Sequence, residues 1–343
     1  MKEKVLVGMS GGVDSSVCAL MLKDKGYDIS GVTLTLCDKD YSSDISDAKS
    51  VCDKLGISHV VIDLRKEFQN FVIADFISQY KAGNTPNPCI VCNKHIKFGF
   101  MIEKAKELGF DKIATGHYAK ITEENGRFLL LRGEDKSKDQ SYVLYNLNQE
   151  QLSRTLFPLG EISKTVAREK ADNNGLINAD RPDSQDICFV PDGDYASFIE
   201  RTDGFKSQEG DYVDINGNFL GKHKGVIRYT LGQRKGLGIA LGKHAFVIDK
   251  NPETNKVILG DEEHLFKKQV YTENNNFIPF DELKAEMQVT AKLRYRHIEQ
   301  PAVIYPYKNG VMIEFEESQR APSPGQSAVF YQGDIVIGGG IIR

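Results

Sequence analysis

No stretch of this 343-residue chain approaches the roughly 18–20 consecutive apolar residues that a membrane span requires, so no membrane association is expected. The opening MKEKVLVGMSGG lacks the longer apolar core and small-residue cleavage site of a secretory signal, which makes a cytoplasmic location the expectation. Thiols in that compartment stay reduced. The six cysteines (Cys18, Cys37, Cys52, Cys89, Cys92 and Cys188) are therefore not expected to build a disulfide framework. A large excess of one charge is also missing. The formal net charge is -4, so nothing global announces a nucleic-acid partner, and any basic surface must be local. Neither an internal repeat nor a low-complexity segment is present. What remains is an ordinary globular composition, 40% hydrophobic and 27% charged, in a chain long enough for two or three domains.

The first half alternates strand and helix patterns. Apolar strands are predicted over 5–9, 29–36 and 59–64, with helices over 13–25, 44–55, 67–83 and 94–108, and a fourth strand, KIATGHY, over 112–118. Such alternation predicts an α/β fold with a doubly wound parallel sheet, whose ligands bind beyond the carboxyl ends of the strands. A hairpin is predicted over 120–133, turning at Asn125-Gly126. A further helical pattern covers 163–175. From about Gly204 short strands alternate with turns, which predicts small β-barrel-like domains. The expected division is a catalytic domain over 1–203, a small central domain over 204–270 and a C-terminal β-barrel over 271–343.

The first strand runs into the helix through Ser10-Gly11-Gly12-Val13-Asp14-Ser15-Ser16. Two glycines let the backbone turn sharply and approach a ligand, and N–H groups at a helix start suit an anion. Ser10, Ser15 and Ser16 add hydroxyls. Asp14 is unusual for a pure anion site, and its expected use is to hold Mg2+ that neutralises phosphates. No Gly-Lys-Ser/Thr follows, so this is not the Walker pattern.

The segment TPNPCIVCNKHIKFG puts Cys89 and Cys92 three residues apart. From the residues alone the pair reads equally as a redox couple, two metal ligands, a nucleophile with a bystander, or two small structural residues. Lys94, His95, Lys97 and a following helix start would lower the Cys92 pKa. Cys188 has no cation near it in sequence, and Asp183 and Asp186 would oppose a thiolate there.

GMSGGVDSSV resembles the PP-loop of the ATP pyrophosphatases. Taken in order with YKAGNTPNPCIVCNKHIKFG, ATGHYAK, LRGEDKSKDQSYVLYNL, DSQDICFV, YTLGQRKGLGI, LRYRH and PGQSAVFYQGDIVIGGGII, it resembles the tRNA-specific 2-thiouridylase family from end to end. The resemblance implies ATP-dependent sulfur insertion at C2 of the wobble uridine of the tRNAs for Lys, Glu and Gln. The C2 oxygen is adenylated with loss of pyrophosphate, a sulfur nucleophile attacks C2, and AMP leaves. It further implies that Cys188 carries a persulfide and that Cys92 is its partner, closing a transient disulfide. ATP contacts are implied at Gly8, Met9, Ser10, Gly11, Gly12, Val13, Asp14, Ser15, Leu34 and Gly116. Contacts to the tRNA anticodon stem-loop are implied at Asn87, Pro88, Cys89, His117, Lys138, Asp139, Gln140, Arg294, Tyr295 and Gln326. The sulfur donor is open: a cysteine desulfurase, a relay protein or free sulfide all fit. A PP-loop synthetase acting on a small metabolite is the alternative from another class, though no glutaminase-like region is present.

Two departures from the family pattern matter. The usual Asn-Pro-Asp-x-x-Cys reads Asn87-Pro88-Cys89-Ile90-Val91-Cys92 here, and a thiol cannot inherit a carboxylate's role, the reference pKa values being about 8.5 and 3.9. Related thiolases outside the family hold a four-iron, four-sulfur cluster on three cysteines, so Cys89, Cys92 and Cys188 raise that alternative to the persulfide relay. Zinc is a weaker reading. The loop after the second strand lacks the family's Asn-Trp pair and its methionine, with Leu34 in the methionine's place. Cys37 and Cys52 fall outside the matched cysteine motifs and read as structural. Finally, KLRYRH alternates Arg294 and Arg296 with Tyr295, which in a strand puts both arginines on one face.

Overall fold

The computed structural model describes residues 2–176 and 187–343. Strand β1 (Lys4–Gly8) buries Val5, Leu6 and Val7 completely, as a central strand covered on both faces must. It is flanked by β2 (Asp28–Thr35), then β3 (His59–Asp63), and on its other side by β4 (Lys112–Ala114). The hairpin β5 (Ala119–Glu124) and β6 (Arg127–Arg132) follows, then the short β7 (Thr155–Leu156). The sheet order is β3-β2-β1-β4-β7, parallel throughout. The chain thus builds outward from β1 on one side, then returns to lay β4 on the other. The crevice between β1 and β4 is the switch point at which such sheets bind ligands.

Helices Val13–Asp24 and Ser42–Leu55 form where the apolar periodicity places them, the second stopped by left-handed Gly56 (φ 63). Helices over 65–81 and 88–107 each contain a π-helical stretch, Gln69–Ile73 and Asn93–Phe100. The hairpin turns at Asn125 (φ 52) and Gly126 (φ 75), as its sequence demands.

Three expectations shift. The helix predicted from Lys94 begins six residues earlier, at Pro88. KIATGHY is a strand only as far as Ala114, because the chain then leaves the sheet to pack Gly116 on the phosphate loop. LRYRH is not strand, because the ladder ends at Lys292 and the chain turns, with His297 N–H donating to Arg294 O at 3.1 Å.

Beyond the helix Tyr195–Asp203 a four-stranded sheet forms from β8 (Gly210–Val213), β9 (Phe219–His223), β10 (Phe246–Asn251) and β11 (Lys256–Gly260), in the order β10-β11-β8-β9. The last six strands are β12 (Phe266–Phe277), β13 (Met287–Lys292), β14 (Gln300–Tyr307), β15 (Gly310–Arg320), β16 (Ser327–Gln332) and β17 (Ile335–Ile342). They close into a barrel through β12–β17 pairing around Val289, Ile304, Ile313, Phe315 and Phe330. β6 pairs with β17 at Leu131–Ile335, so the hairpin of the first half is stitched to the barrel. Among the described residues no helix is long and apolar enough to cross a membrane.

Candidate active site

The loop after β1 is organised by its own hydroxyls. Gly11 takes the left-handed conformation (φ 74). Ser15 Oγ and Ser16 Oγ both donate to Gly12 O, at 3.0 and 2.9 Å, and Ser15 Oγ also accepts from Ser10 N–H at 3.2 Å. Ser16 is fully buried, so its hydroxyl shapes the loop and cannot serve as the ligand donor expected from the sequence. Gly116, arriving from β4, lies against Asp14: a Cβ there would stand 2.8 Å from the Asp14 carbonyl carbon. Leu34 is half-buried at the carboxyl end of β2, and Met9 is fixed by its N–H on Val32 O at 2.7 Å.

Asp14 sits in a constellation that the sequence pattern did not disclose. Lys164 Nζ donates to both of its oxygens, at 2.8 and 2.9 Å, and Tyr118 OH donates to Oδ1 at 2.8 Å. Lys164 is buried at the start of the helix Lys164–Asn173, whose N-cap is Ser163. A carboxylate held on both oxygens by an ammonium does not fit Mg2+ as it stands. The expected metal role of Asp14 needs an exchange of partners, with Lys164 released from both oxygens.

The cysteine segment is helical where a loop was expected. Asn87 Oδ1 accepts from Cys89 N–H at 3.1 Å as an N-cap, and Pro88 occupies the first turn, where its missing N–H costs nothing. Cys89 is exposed beside it, and Cys92 is buried one turn on. Cys188 is exposed. Burial pushes the Cys92 thiol up to about 12, opposed by Lys97, with Cys188 and Cys89 adding to the rise. The Cys89 and Cys188 thiols open to solvent, yet the protein around them displaces enough water to raise both, and Lys97 again opposes. Cys188 also feels Cys37 and Lys39. The structure thus supplies Cys188 with the cations its own sequence neighbourhood lacks, and it brings Cys37 into the thiol neighbourhood rather than leaving it apart. Asp183 and Asp186 lie outside the described residues. All six cysteines are free thiols. Three thiols are the right donors for an iron–sulfur cluster. Among the described residues, however, no three His, Cys, Asp or Glu side chains stand at metal-holding spacing, so the site as it stands does not fit one.

The segments expected to meet RNA divide in two. Several spend their polar groups inside the protein. Asp139 Oδ1 accepts from Gly133 N–H and Ser141 N–H at 3.1 and 3.2 Å, and Gln140 Oε1 accepts from Tyr118 N–H at 3.0 Å. Arg294 Nη2 donates to Ala321 O and Ser323 Oγ at 2.7 and 2.6 Å. Gln326 Nε2 donates to Thr85 O at 2.6 Å. His117 is buried between Phe98 and Phe157 with Nδ1 2.7 Å from Thr115 Oγ1, and burial holds its pKa well below the usual range, so it is neutral. Cys89 and Tyr295 are exposed, and Lys138 is half-buried.

Lys97, His117, Cys188 and Cys37 share one electrostatic neighbourhood at the carboxyl ends of the parallel strands. The charge of Lys97 bears on His117, which follows β4, and on Cys188, which in turn feels Cys37, just past β2. β1 lies between β2 and β4, so its glycine loop opens between the two ends of the thiol neighbourhood.

Three family profiles match in succession: a tRNA methyl transferase HUP domain over residues 3–192, a tRNA methyl transferase PRC-barrel domain over 196–261 and an aminomethyltransferase beta-barrel domain over 267–342. The chain is 49% identical over 356 aligned positions to tRNA-specific 2-thiouridylase MnmA of Clostridioides difficile (strain 630), covering 100% of this chain and 99% of that protein. It is 50% identical over 351 positions to MnmA 1 of Clostridium botulinum (strain Okra / Type B1), with the same coverage. The chain belongs to the tRNA-specific 2-thiouridylase family.

Among solved structures, the U34-tRNA thiolase NcsA from Methanococcus maripaludis with its [4Fe-4S] cluster aligns at 18% identity and a TM-score of 0.35, covering 59% of this chain and 65% of that one. A 4-thiouridine synthetase–RNA complex with bound ATP aligns at 18% and 0.37, covering 58% and 50%. The sequence points to the cysteines, the glycine loop and the tripeptide Asn87-Pro88-Cys89 as site candidates. It does not mark Lys164, Tyr118 and Cys37 as neighbours of the site, and the only local signal for Lys164 is its place at a capped helix start.

Proposed function

We propose that this chain is an ATP-dependent tRNA sulfurtransferase that installs sulfur at C2 of the wobble uridine of the tRNAs for Lys, Glu and Gln. The observation that carries the reading is the opening of the glycine loop of β1 between the two flanks of a neighbourhood holding Cys89, Cys92 and Cys188. Two of the matched profiles are named for methyl transfer and the relatives for thiolation. A phosphate-type loop beside several thiols serves activation by ATP and attack by sulfur, and methyl transfer has no use for activation of the base oxygen by ATP.

The uridine O2 attacks the α-phosphorus of ATP at the glycine loop, and pyrophosphate leaves. The terminal sulfur of a Cys188 persulfide then attacks C2, and AMP departs with the former O2. Cys92 thiolate attacks Cys188 Sγ, which releases the 2-thiouridine sulfur with the bond's electron pair and leaves a Cys92–Cys188 disulfide for reduction. Lys97 favours each thiolate in turn. Mg2+ arrives with the nucleotide's phosphates. Sulfur reaches Cys188 as persulfide from a desulfurase or a relay protein; free sulfide enters instead by attacking Cys188 Sγ of the Cys92–Cys188 disulfide, which gives the Cys188 persulfide and expels Cys92 as thiolate. Cytoplasmic action completes the reading.

Incubation with ATP, sulfide and tRNA tests it: 2-thiouridine and AMP in equal amounts are expected. AMP formed only with a small carboxylic substrate points to a synthetase. The alternative raised by the sequence, a cluster assembled on Cys89, Cys92 and Cys188, is not favoured by the present spacing of the thiols. Anaerobic protein that thiolates tRNA without iron or acid-labile sulfide excludes it.

A further inference from the structure

The irregular segment over 293–299, between β13 and β14, is pinned at both ends. Arg294 Nη2 is bound to Ala321 O and Ser323 Oγ at 2.7 and 2.6 Å. Glu299 accepts from Arg132 Nη1 at 3.0 Å and from Thr290 Oγ1 at 3.1 Å. Between these pins Tyr295 OH donates to Asp139 O at 3.3 Å, and Lys292 Nζ lies 5.6 Å from the centre of the Tyr295 ring.

This rigid turn holds out an apolar side chain. Ile298 is 83% exposed, more than any other large apolar residue described, the next being Phe219 at 62%. A single exposed apolar residue on a loose surface needs no explanation. Here the backbone on either side is fixed, so the projection is built in rather than a product of slack.

The turn also stands beside the reaction centre. Ser323, which holds Arg294, precedes the residues that grip the cysteine segment: Pro324 O accepts from Thr85 N–H at 2.8 Å, and Gln326 Nε2 donates to Thr85 O. Cys89 follows four residues later. Burial raises the Tyr295 hydroxyl pKa, and the charges of Asp139 and Cys89 add to the rise, which places ring and thiol in one electrostatic neighbourhood.

We propose that the pinned turn over 293–299 is the rim across which a single-stranded RNA loop enters, with Ile298 as a wedge that takes the place of the extruded wobble base in the stack and Tyr295 as a platform for the neighbouring nucleotide. Arg294, assigned by resemblance to RNA contact, acts as the pin. The inference rests on the tRNA reading above. The chemistry favours RNA over a protein partner. A stable protein interface buries roughly 800 Å² on each side, whereas the chain neighbours of Ile298, Arg296, His297, Glu299 and Gln300, are all polar, and Tyr295 is the only other exposed large apolar residue of the turn. An aliphatic wedge beside an aromatic ring and a basic side chain is what unstacks and receives splayed bases.

The test uses the full chain and an anticodon stem-loop RNA with 2-aminopurine beside the wobble uridine. Binding to the wild-type protein is expected to raise the fluorescence as the stack opens. Ile298→Ser is expected to cut that rise at least threefold and to raise KM for RNA three- to tenfold, with ATP affinity unchanged, and Ile298→Leu to restore both. Exposure of the side chain keeps the fold out of the comparison. An unchanged fluorescence rise and KM in Ile298→Ser overturns the wedge. So does a defect seen only with a protein sulfur donor and absent with free sulfide, which would make the turn a protein contact. A wild-type protein that forms no 2-thiouridine at all overturns the enzymatic reading and the rim with it, and is recognised by its appearance before any substitution.

Discussion

Lys97 lies five residues beyond Cys92, inside the π-helical stretch Asn93–Phe100, in which Met101 N–H reaches back to Ile96 O. In a π-turn it is residue i+5 that returns over residue i; in an α-helix it would lie ~140° further round. The wider turn brings the ammonium to the Cys92 side, where its charge bears on all three thiols and on His117. A cation favours thiolate, so its removal moves each thiol pKa further upward. In Lys97→Met each thiol loses the cation that opposes its rise, so less of it is thiolate at a given pH below the pKa. Alkylation of Cys89 and Cys188 at pH 8 is expected to slow severalfold, its pH profile moving to higher pH, while Lys97→Arg keeps the wild-type profile. Identical profiles for the Met variant and the wild type would remove Lys97 from the site. Lys164 carries the matching expectation in the loop. Its side chain is 10% exposed and that of Asp14 32%, so Lys164→Met leaves a half-shielded carboxylate facing incoming phosphates. A loss of about 1–3 kcal/mol of stability, discounted for that exposure, is expected, with ATP affinity roughly tenfold weaker, or about 1.4 kcal/mol. A lower melting temperature with unchanged nucleotide affinity would make the pair purely structural.

At the scale of elements, what the sequence made legible was whatever local periodicity determines. Helices over 13–24 and 42–55 and the hairpin at Asn125-Gly126 follow from apolar spacing, glycine stops and turn chemistry. The cysteine helix did not, because Asn-Thr-Pro-Asn-Pro reads as loop until Asn87 is recognised as a cap and Pro88 as a first-turn residue. The π-stretches were equally hidden, since their register depends on packing between the two helices that carry them, where Phe71 stacks on His95 with ring centres 5.1 Å apart. Partners distant in the chain, such as Lys164 for Asp14 or Gln326 for Thr85, leave no periodic trace at all. The cap has a measurable consequence. Asn87→Ala is expected to cost about 1 kcal/mol and to speed hydrogen exchange at the Cys89 amide, which loses its acceptor, while amides of the phosphate loop keep their protection. Unchanged exchange at Cys89 would show that the proline alone sets the helix start.

At the scale of the whole molecule, the first half and the barrel meet at the cysteine segment, so the barrel bears on the chemistry without supplying a reacting group. Gly325 is one point of close approach. It has φ +86, and a Cβ there would stand 2.8 Å from Asn84 Cβ and 3.0 Å from Thr85 N, all main-chain or rigid atoms. Both the left-handed conformation and the missing side chain are therefore needed for the barrel to seat. Gly325→Val adds strain and a clash together, and the cheapest relief is to lift the segment 323–326 from Thr85, breaking the Pro324 and Gln326 hydrogen bonds and releasing the run that leads to Cys89. The phosphate loop, held by its own serines and Lys164, shares none of these contacts and is expected to stay as it is. Sulfur transfer to tRNA is expected to fall at least tenfold in Gly325→Val, with ATP affinity within twofold of wild type and the barrel still folded by circular dichroism. Full sulfur transfer in that variant would mean that the seating of the barrel on the cysteine segment does not govern the position of its thiols.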